Sequence, residues 1–398
     1  MQHHVEPLLV EKPTEPPGLL LTPVSPSSIP RYDRPVRRKS DWFHPGKYAS
    51  RRASEFQSEQ IADGWTECTT PEGDNYFRNT ECPLVTYTDI RVQSAERWLR
   101  RAYGRLIEMG RARDPQITKC EAYIHIVLET PVSCQLEYYF IDPSARHPFW
   151  VHEVRVQDLG LPDFETPDHL KAILTPEFWV HIEYFAVHHK LEKSVEDELI
   201  AIFRHGCADA MTSFGSTFPY SAQECREHLQ TLEGFIASGE FSGCRTAAFA
   251  RLWASVTRVR HINGYSLPGP RLDRSQRLEE FKKGQRPGAI LRVLNTLLLA
   301  LPQSKFDRIT ELWNGRVVFQ RHWHSYFDDQ RSEWLRLAVL GFAVFIVAVI
   351  LIVADGQNLL AVISASLAAG SVMSALTLHE RHSRSKFNTA SDIILAQL

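Results

Sequence analysis

Apolar and polar positions follow three different rhythms along this chain. Residues 1–60 show none: runs such as Glu15-Pro16-Pro17 and Pro23-Val24-Ser25-Pro26 alternate with charge, and aromatic residues are few. That composition predicts a disordered tail. Residues 61–91 alternate over short blocks bounded by turn residues, which predicts strands; 92–112 instead places Ala95, Trp98, Leu99, Ala102, Leu106 and Ile107 at three-to-four spacing, which predicts a helix inside a linker over 92–121. A second strand-like block covers 122–156. Helical spacing then dominates 157–333, with elements expected at 168–189, 196–213, 222–237, 244–262, 287–301 and 304–334, the third opened by the capping-box string Ser221-Ala222-Gln223-Glu224. The expected fold class is mainly α with small antiparallel β modules.

The third rhythm is uniform apolarity. Residues 337–354 carry no charge, and 359–378 hold only Ser and Thr as polar members. At about 1.5 Å rise per residue each run approaches the thickness of a bilayer core. The short loop Asp355-Gly356-Gln357-Asn358 leaves only an antiparallel turn, so 334–378 reads as a transmembrane helical hairpin. Arg316, Arg321, Arg331 and Arg336 precede it, and Arg381, Arg384 and Lys386 follow it in the basic tail 379–398. By the positive-inside rule both chain ends face the cytosol and the loop lies across the membrane. Ser366, Gly370 and Ser374 recur every four residues and offer a small-residue packing face.

Charge and cysteine change the picture little. Lys plus Arg number 45 against 47 for Asp plus Glu, so nothing points to nucleic acid as a partner. Between Arg31 and Arg52 eight basic residues face two Asp, enough to touch an anionic membrane surface. Seven scattered Cys without a CxxC pair argue against a disulfide framework or a zinc ribbon, and the first thirty residues hold no secretory signal.

One stretch carries a family likeness. Trp65 precedes the pair Tyr76-Phe77 by eleven residues, Tyr87 follows Tyr76 by eleven more, Gly73 lies in the first turn, and Asn79 follows the pair. In this order and spacing, residues 61–91 resemble a WW domain, a three-stranded sheet that binds proline-rich peptides. The resemblance implies that Trp65 and Phe77 pin one face, with Gly73 and Asn79 shaping the turns. Tyr76 and Tyr87 would form a slot for a polyproline II ridge on the other face. Tyr87 stands where that family has its second Trp, Thr80 where it has His, and Ile90 where it has Pro. Residues 122–153 resemble a degenerate second copy, with Tyr139 and Trp150 as its slot. The whole layout resembles a group of basidiomycete fungal WW-domain membrane proteins.

The remaining chemistry is sparse. His181, His188, His189 and His205 gather with Glu183 and Asp209, a possible metal or acid–base set. No HExxH string, GxSxG elbow, phosphate loop or GxGxxG turn accompanies them, so they are expected to be satisfied interior polar groups, with no metal or cofactor. The leading expectation is therefore a membrane-anchored adaptor that binds proline-rich protein segments and the lipid bilayer. An enzyme with a His-based site in the helical domain is one alternative, and a structural membrane protein whose WW-like sheet only packs is another.

Overall fold

The computed structural model describes residues 18–31, 61–213, 215–239, 242–274, 276, 313–314, 317–318, 320–354 and 359–384, without the side chains of 313–325 and 382–384. The expected helix at 287–301, residues 304–312 of the one expected at 304–334, and the hairpin loop lie outside these residues; at 313–314 and 317–318 paired strands stand where helix was expected. The chain forms two compact units, residues 1–274 and 275–398.

The first unit is built on one mixed sheet. Its strands are β1 (Leu19–Pro23), β2 (Trp65–Thr69), β3 (Asn75–Asn79), β4 (Leu84–Thr86), β5 (Glu121–Glu129), β6 (Cys134–Asp142) and β7 (His147–Phe149). The order is β1-β6-β5-β4-β3-β2, with β7 also on β6. β2–β3–β4 is the antiparallel meander expected over 61–91, and β5–β6–β7 is a second antiparallel set. Two parallel pairings, β4 on β5 and β1 on β6, fuse them. A parallel pair needs a crossover. Helix α1 (Gln93–Arg111) supplies it between β4 and β5, so the stretch read as a linker is an integral layer. Helices still predominate, as a mainly α class with a small β component requires.

β1 corrects the expectation of disorder for residues 18–31. Leu19 and Leu21 point inward at a period of two, and the strand bonds along β6. Gly18 permits this approach: its φ is +92°, and a Cβ there would stand 2.3 Å from the carbonyl oxygen of Val132.

Strand alternation divides the sheet's side chains between two cores. Trp65, Phe77, Leu136, Tyr138 and Phe140 meet Leu99, Ala102 and Leu106 of α1. Tyr76, Val85, Tyr123, Tyr139 and Ile141 face the opposite way, into helices α2 (Pro167–Tyr184), α3 (Lys193–Thr212), α4 (Ala222–Ala237) and α5 (Gly243–Ile262). Caps set the starts of these helices: Thr166 before α2, the full Ser221/Glu224 capping box before α4, and Ser242 before α5. Trp179 of α2 stacks on Trp253 of α5 at 5.2 Å. Arg245 of α5 grips Glu196 of α3 with two nitrogens at 2.7 and 2.5 Å.

The second unit holds the short ladder β8 (Trp313–Asn314) with β9 (Val317–Val318), then α6 (Gln320–Ala354) and α7 (Leu359–Arg384). Two stretches, Tyr326–Ala354 and Leu359–Arg381, are long and apolar enough to cross a membrane, and little of either is buried. The helices run antiparallel: Gly341 lies against Ala368 and Val372, and His379 against Arg331. Their contact face differs from the expected one. Ala361, Ala365, Ala368 and Ala375 are buried on α7, opposite Ala338 and Ala348 of α6, whereas Ser366, Gly370 and Ser374 are exposed. The alternating four- and three-residue steps of the alanines trace a coiled-coil seam, and a strict four-residue repeat drifts off that seam.

At Gly341 the helices approach closely: a Cβ there would lie 3.0 Å from Val372. Gly341→Leu is expected to weaken the hairpin by about 1–3 kcal/mol. An SDS titration of the micellar full chain, followed by circular dichroism, should show the earlier loss of the apolar helices.

Candidate metal centre

At the start of β5, strand alternation places Glu121 on the same face as Tyr123, under the helical layer. Three histidines reach it from one short stretch of chain. His181 lies in the last turn of α2, and the chain leaves that helix at Phe185, whose N–H bonds the His181 carbonyl. The turn that follows delivers His188 and His189 back across the carboxylate. α5 fixes this turn: the Thr246 hydroxyl donates to the His189 carbonyl at 3.0 Å, and Gly243 admits Val187 closely enough that a Cβ would stand 3.0 Å from it.

All three imidazoles present Nε2 to the one carboxylate. His181 lies 2.8 Å and His189 3.2 Å from Oε1, while His188 lies 2.9 Å from Oε2. Phenols hold two of the rings from behind. Tyr139 of β6 bonds Nδ1 of His181 at 3.0 Å, and Tyr76 of β3 bonds Nδ1 of His188 at 2.9 Å. A hydroxyl serves either tautomer. With the His181 ring proton on Nδ1 the Tyr139 oxygen accepts it, and Nε2 of His181 presents a lone pair to the centre. The donor atoms of Glu121, His181 and His189 all lie within 4.8 Å of one another.

The site's electrostatics favour a cation. Burial alone would raise the Glu121 carboxyl, but the charge of His189 and the hydrogen bonds from His181, His188 and His189 outweigh it and hold the group well below its ordinary range. Burial keeps His181 neutral, lowering it to about 4 against the pull of Glu121, and lowers His188 for the same reason. The centre thus presents an ionised carboxylate beside the neutral imidazoles of His181 and His188, in a nearly dry place. An ionised group there requires a compensating charge or a full set of donors.

Of the residues singled out in the sequence, His181, His188 and His189 come together, and three others do not. Glu183 instead accepts from Arg251 at 2.8 Å, Asp209 accepts from the Ser216 hydroxyl at 2.5 Å, and His205 is exposed on α3. Glu121 was missed, since it lies sixty residues before His181 in a different element. Its one signal is a lone carboxylate on the apolar face of a strand.

The residues of the expected peptide slots also have definite places. Trp65 and Phe77 are buried on the α1 side; Gly73 takes φ +87° in the β2–β3 turn; Asn79 Oδ1 accepts the N–H groups of Glu81 and Cys82. Tyr76 and Tyr87 share the opposite face, with rings 6.4 Å apart at 72°, and Phe185 packs 5.1 Å from each. Tyr76 is fully buried, and its one hydroxyl proton is shared between His188 Nδ1 at 2.9 Å and the Phe185 carbonyl at 3.2 Å; burial drives this phenol strongly upward. Tyr87 is half-buried and donates to the Tyr184 carbonyl at 3.4 Å. Tyr139, fully buried, stacks on Tyr123 at 4.9 Å, and the Trp150 indole donates to the Val24 carbonyl at 2.8 Å. The protein's own helices therefore occupy the face on which a peptide was expected. Comparison with protein-family models, curated proteins and solved structures finds no match.

Proposed function

We propose that this protein is a membrane-anchored metal-binding protein. Its first unit holds a divalent transition-metal ion, and the α6–α7 hairpin secures it to a bilayer. One observation carries the reading: Nε2 atoms of three histidines converge on Glu121, and phenols stand behind two of those rings. Imidazole with a single carboxylate suits zinc and its neighbours in the first transition series better than calcium or magnesium. The basic residues flanking the hairpin support a cytosolic position for the first unit. A proline-peptide role, which the WW resemblance implies, would need either another surface or removal of the helical layer from Tyr76.

A competition titration of the detergent-solubilised full chain against a chromophoric zinc chelator tests this reading. His189→Gln changes a half-buried ligand and should weaken zinc on the order of a hundredfold or more. Equal zinc affinity in wild type and variant would overturn the assignment. A second reading has its own support. The three N···O contacts of 2.8–3.2 Å are hydrogen-bond lengths, whereas tetrahedral zinc spaces its donors about 3.3 Å apart. In that reading the imidazoles donate to Glu121 as a polar clamp between sheet and helices, and the wild type binds no zinc in the titration.

A further inference from the structure

The four side chains of the centre are not equivalent, and the difference bears on what the ion could do. Glu121 Oε1 is shared by His181 and His189, whereas His188 meets the other oxygen, Oε2. The three residues with mutually close donor atoms are Glu121, His181 and His189. His188 has both nitrogens engaged, Nε2 on Oε2 and Nδ1 on the Tyr76 hydroxyl. Exposure is also graded: the His181 side chain is 0% accessible, Glu121 14% and His189 21%.

Resting on the metal-binding reading above, we propose that the ion is held by His181, His189 and Glu121 alone and keeps an open coordination position for a small oxygen- or nitrogen-donor anion. His188 is a positioning residue, whose Nε2–H holds Oε2 so that Oε1 faces the ion. Structural zinc sites close with four protein ligands, whereas two histidines and one carboxylate leave room for water or a substrate atom. The open position belongs on the side of His189 and Glu121, the two more accessible of the three ligands. Its charge suits an anion: a divalent ion with one carboxylate keeps a net positive charge, and Arg78 of β3 adds to the positive field felt at His188. Such a centre could polarise a bound carboxylate or phosphate oxygen, or lower the pKa of a bound water.

Cobalt(II) loading of the micellar full chain, read by its visible absorption, tests the proposal. Azide should shift the cobalt bands in a saturable way, and His188→Gln should keep the band pattern and the azide response while lowering cobalt affinity about tenfold. A cobalt spectrum that azide leaves unchanged would show a closed site and overturn this proposal while sustaining the metal reading. A changed band pattern in His188→Gln before azide is added would make His188 a ligand and overturn it as well. If the wild type takes up no cobalt, the underlying metal reading falls with it.

Discussion

Tyr76→Ala is expected to unfold much of the first unit. The ring is fully buried between β3 and Phe185, so truncation leaves a cavity costing about 3–5 kcal/mol. It also strips a partner from His188 Nδ1 and from the Phe185 carbonyl, adding roughly 1–3 kcal/mol for each group left unsatisfied. Domains carry about 5–15 kcal/mol in all. Denaturant unfolding of the full chain should therefore show the variant shifted to much lower midpoints or unfolded without denaturant. Tyr76→Phe keeps the ring and should lose only about 1–3 kcal/mol. A tyrosine standing in a solvent-open peptide slot would behave differently, with a loss under about 1 kcal/mol on truncation.

Zinc is expected to raise the unfolding temperature of the wild type by on the order of ten degrees. An ion present at a thousand times its Kd adds about 4 kcal/mol to the folded state, and in a unit of this size each kcal/mol moves Tm by roughly 2–4 °C. The ion would tie β5 to the end of α2 and to the turn behind it, so the gain belongs to the cooperative unfolding of sheet and helices together. A chelator should reverse the shift. His189→Gln should show no zinc-dependent rise, and thermal denaturation of the two proteins with and without zinc checks this directly.

Much of the local structure is legible in the sequence. The strong period at Ala95, Leu99, Ala102 and Leu106 matches α1, and the string from Ser221 to Glu224 matches the start of α4. The uncharged runs correspond to the apolar parts of α6 and α7. What pattern could not convey was assembly. Whether β4 pairs with β5 depends on α1 crossing over between them, and no residue of the meander announces that neighbour. β1 was hidden because three leucines among prolines are too few to read as a strand without the β6 edge that pairs with them. The alternation in β3 correctly separates Tyr76 from Phe77, yet both faces of a sheet with helices on either side are buried, and alternation alone does not say which face stays open.

The candidate centre divides along the same line. His181, His188 and His189 stand out in sequence because they lie within nine residues. Glu121, Tyr76 and Tyr139 come from three strands and join them only once the sheet is layered against α2. The expected grouping with His205 and Asp209 fails because α3 begins a new direction after His189 and presents that part of its surface to solvent.

Elemental analysis of the full chain, purified in detergent without added metal or chelator, tests the central claim most directly. The account predicts about one equivalent of a first-row divalent transition metal per chain in the wild type and a loss of most of it in Glu121→Gln, with both proteins folded by circular dichroism. A folded wild type with under about a tenth of an equivalent, unchanged after dialysis against zinc, would contradict it.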